Sequence, residues 1–110
     1  MAFKVGCVIM SPDADPKVHR TSLKTAKLEL SVVLTKAGDI DQAVAVSKEL
    51  VKSEGIHELM LCPGFTHDMV GKLKEAVGDK ASVCVARGDA PSVGMVREIL
   101  VKEGWVPGGH

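Results

Sequence analysis

The chain has 110 residues, fewer than the ~150 usual for one domain, and 45% of them are hydrophobic, which predicts one folded domain over 1–110 with 105–110 as a tail. Fourteen basic and fourteen acidic residues cancel to a formal net charge of zero, and the aromatics are only Phe3, Phe65 and Trp105. A nucleic-acid partner, which needs a basic face and stacking rings, is therefore not expected. No stretch approaches the ~20 apolar residues of a membrane span, so no membrane partner is expected either.

Residues 3–10 are nearly continuously apolar with Gly6 among them, and predict a central strand buried on both faces. Ser11-Pro-Asp-Ala-Asp-Pro16 breaks that run. Asp15 as cap and Pro16 at the first helical position predict a weakly amphipathic helix over about 16–25. Leu28, Leu30, Val32 and Leu34 then alternate with Glu29, Ser31 and Val33, the period of an edge strand with one half-polar face.

Asp39 followed by Gln42 resembles a capping box, and Ile40, Ala43, Val44, Ser47, Leu50 and Val51 line one face of a helix that stops at Gly55. Residues 56–62 form the third strand, 66–77 a helix stopped by Gly78, and 81–86 the fourth strand. Pro91 opens a last helix with Val93, Val96, Ile99 and Leu100 on its apolar side, closed by Gly104.

The alternation of strands and helices predicts an α/β domain with a four-stranded parallel sheet, helices on both faces and strand order 2-1-3-4, a flavodoxin-like arrangement. In such a sheet ligands bind beyond the carboxyl ends of the strands, where the order reverses. Three polar clusters meet there: the loop Ser11–Pro16 with Asp13 and Asp15, the corner Pro63–His67 after Cys62, and Arg87 after the last strand; His19, in the helix expected to follow the first loop, is a further candidate ligand.

Each candidate has a chemical reason and a plainer alternative. Cys62 is a nucleophile if a helix start and a cation draw out its thiolate, or a packed strand-end cysteine if they do not. His67 in the first helical turn is kept neutral by the positive dipole end and suits proton transfer, or else faces solvent. The amides of Phe65, Thr66 and His67 suit an anion, with Gly64 giving close backbone approach or positive φ.

Arg87 is placed to hold a carboxylate or phosphate bidentately, or to pair with Asp13, Asp15 or Asp89. Asp13 and Asp15 are ligands, or an Asx-turn residue and a helix cap. No metal is expected, because HxH, HExxH and CxxC spacings are missing, and no cofactor, because GxGxxG and GxxxxGK[ST] are missing. Cys7 and Cys84 lie inside apolar runs and read as core residues. An odd cysteine count without framework spacing points to a reducing, cytoplasmic setting.

With its Pro-Asp-Ala-Asp-Pro loop, its Cys-x-Gly-Phe corner and Arg87 after the last strand, the chain resembles a family of small bacterial α/β proteins of unknown function. Pro63 stands where that family's pattern leads one to expect Gly, and the resemblance carries no activity with it. The expected partner is a small anionic metabolite, with Cys62 and His67 as the candidates for any chemistry. A neutral charge, two sheet edges and an uncovered Trp105 add the expectation of a homo-oligomer, most simply a dimer. The alternative is a non-catalytic assembly or regulatory module.

Overall fold

The computed structural model describes residues 1–106, at 90 and 91 their backbone alone, so His110 and most of the predicted tail lie outside the described residues. Five strands and three helices follow in the order β1 Phe3–Ser11, β2 Arg20–Lys24, β3 Leu28–Lys36, α1 Ile40–Glu54, β4 Glu58–Leu61, α2 His67–Val77, β5 Ser82–Val85 and α3 Ala90–Lys102. A short 3-10 turn, Gly78–Lys80, leads from α2 into β5. The sheet order is β2-β3-β1-β4-β5. β1 pairs parallel with β3 and β4, β4 pairs parallel with β5, and β2 runs antiparallel to β3.

The sheet is thus mixed and five-stranded, where four parallel strands were expected, and the helix expected over 16–25 does not form. Reach decides the matter. β1 and β3 are nine residues each and in full register from Phe3↔Leu28 to Ser11↔Lys36. The connection must therefore carry the chain back by roughly 30 Å at ~3.3 Å per strand residue. Only residues 12–27 are available; as one continuous helix they would rise just ~24 Å at 1.5 Å per residue, and a shorter helix would need its few flanking residues for the climb of ~10 Å onto the sheet face and back.

An extended return covers the distance, and Arg20–Lys24 makes it in the plane of the sheet, opposite Val33 to Glu29. Thr25 Oγ1 accepts from the amides of Lys27 and Leu28 and tightens the turn into β3. β3, expected at the edge, lies one place in from it.

The core lies on one side of the sheet. Val8 and Met10 of β1, Val33 of β3, Leu59 and Leu61 of β4 point to that side and pack with Val46 and Leu50 of α1 and Leu73 and Val77 of α2. α1 is fixed at both ends. Asp39 accepts from Gln42 N at 3.0 Å, and Gly55 closes the helix at φ 67° with its N–H donating to Leu50 O.

Gly6 is in the strand because Leu50 lies over it: a Cβ there would meet Leu50 Cδ1 at 3.3 Å, with Ile56 and Leu59 at 3.4 Å.

Helices do not cover both faces. With β2 in the plane, the connection from β1 to β3 places no crossover helix above the opposite face. Val5 apart, the outward residues of β1 and β3 are only half-buried or exposed, with Phe3 at 49% and Ile9 at 38%. Cys7 and Cys84, expected in the core, stand on this open face and are half-buried. Burial and, secondarily, the Glu58 carboxylate push both thiols up from their ordinary range.

Two substitutions test this packing by urea unfolding. Gly6→Val drives methyls into Leu50, Ile56 and Leu59 and should cost about 1–3 kcal/mol. Thr35 is fully buried with a hydroxyl that finds no partner among the described residues. Thr35→Val keeps the shape and removes the unsatisfied group, so the protein should gain on the order of 1 kcal/mol.

Candidate functional site

Beyond the carboxyl ends of β1 and β4 the structure has a crevice of about 600 Å³. Its floor is Ile9 and Met10 at the end of β1, with Ala37 and Gly38 from the turn after β3. One wall is the corner after β4, Cys62, Pro63 and Gly64, together with Met69 from the first turn of α2. The roof is Val96 and Leu100 of α3 with Trp105 and Val106 behind it. Gly38 turns the chain at φ 84°, a conformation that a side chain would strain. The crevice is lined almost entirely by apolar side chains.

Of the expected site residues, Cys62 and Gly64 line the crevice. The Cys62 thiol sits beside β1, where Sγ accepts from Met10 N at 3.4 Å. Gly64 does not have positive φ. It lies against the same thiol: a Cβ there would be 3.5 Å from Cys62 Sγ. Phe65 is a core residue, 6% exposed, and its amide donates to Cys62 O at 3.2 Å. Thr66 is the N-cap of α2, its hydroxyl accepting from Met69 N at 3.3 Å. His67 is the first residue of α2 and is exposed, outside the crevice lining.

The acidic loop is bonded mostly within itself. Ser11 Oγ donates to Asp13 Oδ1 at 2.7 Å. That bond is the first cause, ahead of a backbone N–H, that holds the Asp13 carboxyl below its ordinary range. Asp15 caps a turn and not a helix: its carboxylate accepts from Lys17 N, and its carbonyl from Val18 N and His19 N. The Asp15 amide donates back to His19 Nδ1 at 2.9 Å, which leaves the proton of a neutral imidazole on Nε2.

Arg87 stands in solvent, its side chain 85% exposed, with Nε 2.8 Å from Asp89 Oδ1. Neither it nor Asp13, Asp15 and His19 line the crevice. His57 is at the other end of the sheet, its ring stacked on Phe3 and its Nδ1 accepting from Lys4 N.

Sequence reasoning missed the roof. Val96 and Leu100 read as a core face, and Trp105 as a tail residue without a partner. The one available signal was Gly104 ahead of Trp105: a glycine stop at φ 78° folds the next residue back over the last turn, and Trp105 N donates to Leu100 O at 2.8 Å. Among the described residues no group of three or more His, Cys, Asp or Glu is placed to hold a metal ion. No helix among them is long and apolar enough to cross a membrane.

These features define a single α/β domain with a mixed sheet and a crevice at the strand ends. A model of a family of unknown function, DUF6506, matches residues 3–99, and the chain belongs to that family. No curated protein and no solved structure matches it.

The Asp13 contact gives a pH test. A depressed carboxyl contributes stability that is present above its unfolded value and lost as pH falls through the folded one. Ser11→Ala removes the first cause of that depression, so the Asp13 midpoint, followed by carboxyl-carbon NMR, should move upward toward that of an ordinary aspartate.

Proposed function

We propose that this protein binds a small molecule with a mainly apolar body in the crevice beneath α3. The observation that carries this reading is the crevice itself: its volume lies within the ~300–1,000 Å³ of small-molecule sites, and such sites are lined mostly by hydrophobic and aromatic groups. A polar or anionic end of the ligand is accommodated at the mouth, where the first amides of α2 have no partner within the helix. Cys62 is the thiol within reach of such a ligand.

A purely anionic metabolite held by Arg87 has less support. The guanidinium pairs with Asp89 outside the lining, and Asp13, Asp15 and His19 spend their bonds in their own loop. The reading of a non-catalytic assembly module is favoured by a different observation, the open sheet face.

Octanoate and inorganic phosphate, titrated separately and followed by amide shifts, distinguish the two ligand classes. Octanoate should shift Gly38, Gly64 and the Trp105 indole, and phosphate should leave them in place. Val96→Glu, at a position 55% exposed and so tolerant of change, should weaken octanoate about tenfold, the equivalent of one buried valine at ~1.5 kcal/mol. Phosphate shifts that disappear in Arg87→Ala would return the site to the anion reading.

A further inference from the structure

We infer that the open sheet face is the docking surface for a second copy of this chain, whose α3 lies along it. The inference does not depend on whether the crevice holds a ligand. Every outward position of β1 from Phe3 to Ile9, and of β3 from Leu28 to Leu34, is apolar. Met60 of β4 extends the patch on one side and Leu23 of β2, 70% exposed, on the other. At ~4.8 Å between strands and ~3.3 Å per residue this face has a footprint on the order of 500 Å². A patch of that size is at the upper end of what a monomer exposes, and such patches are often functional.

The chain also carries the other half of such a contact. α3 turns Val96 and Leu100 to its own crevice, which leaves Met95 and Ile99, one turn apart, 71% and 59% exposed. A sheet face without its helix and an apolar helix flank without its sheet are complementary. They are not brought together within one chain. A two-fold axis closes both contacts at once, because each copy presents the same pair of surfaces.

The areas agree with this. A 13-residue helix flank of roughly 200 Å² covers a like area of the partner's face, so the two reciprocal contacts bury about 400 Å² per chain, the size of a small, reversible interface, and leave the rest of the face for the partner's sheet. A net charge of zero leaves no overall repulsion to overcome. The chain is elongated to match, with extents of 48 × 28 × 28 Å. Its radius of gyration of 14.6 Å exceeds the ~13 Å of a compact domain this long.

The test is light scattering on the full chain at about 50 µM, with circular dichroism on each variant to confirm folding. The wild type should have twice the 11.6 kDa chain mass. Met60→Lys places a charge on the β4 side of the face, and Ile99→Glu places one on the outer flank of α3. Both positions are exposed, so each variant should fold, and each alone should run at the mass of one chain. Cys7 and Cys84 supply a second readout: a thiol reagent should label them slowly in the wild type and at least tenfold faster in both variants.

A wild-type mass near one chain overturns the inference. So does a dimer that persists in Ile99→Glu, which would mean that α3 is not the partner's contact. Neither substituted residue lines the crevice, so octanoate shifts report on the ligand site whichever way the mass falls.

Discussion

The connection between β1 and β3 governs the rest of this structure. Two long parallel strands in full register oblige the intervening chain to travel back the length of the sheet, and residues 12–27 are too few to do so as a helix. The return runs as β2, in the plane of the sheet. One consequence is a covered edge for β3, whose ladder groups are now paired. The other is that the helix which would have shielded the second face does not exist. A single-sided core and an open apolar face both follow from that one in-plane return.

That constraint also explains how much of the molecule could be read from its residues. α1 and α2 were legible because each carries its own local signals: Asp39 with Gln42, Thr66 with Met69, and glycines at both stops. β1 and β3 were legible from their apolar runs. What those runs could not disclose is which face was covered. Phe3, Cys7 and Ile9 are as hydrophobic as Val8 and Met10, so an open face has the same composition as a buried one. β2 was lost because Asp15 and Pro16 are good helix openers, and their local preference was given precedence over the distance the chain must span. Asp15 does cap, but the element it caps is a turn.

The site was half legible for a related reason. The corner after β4 is set by topology, and topology follows from element order, so Cys62 and Gly64 were placed correctly at the strand ends. Arg87 sits only two residues beyond β5, yet its direction depends on loop geometry and on which acid is nearer. Asp89, two positions on, takes its guanidinium at 2.8 Å. Spacing put a cation beside the crevice but did not turn it inward. The roof was hard to read because α3 looks like any amphipathic helix until the crevice beneath it is known.

α3 therefore has an unusual position in the energetics. It is joined to the domain through the short segment after β5 and through Val96, Leu100 and Trp105 over the crevice, with little else buried along it. An element with so few buried apolar contacts belongs to the low-stability end of a fold and opens at a small cost. A molecule in the crevice touches Val96 and Leu100 only when α3 is docked, so it favours the docked arrangement by its differential affinity for that state. A second copy that took up Met95 and Ile99 would favour an ordered α3 from the adjoining flank. If both proposed contacts form, they order the same helix, and each would then lower the entropy that the other must overcome, a coupling that changes affinities without making either contact depend on the other.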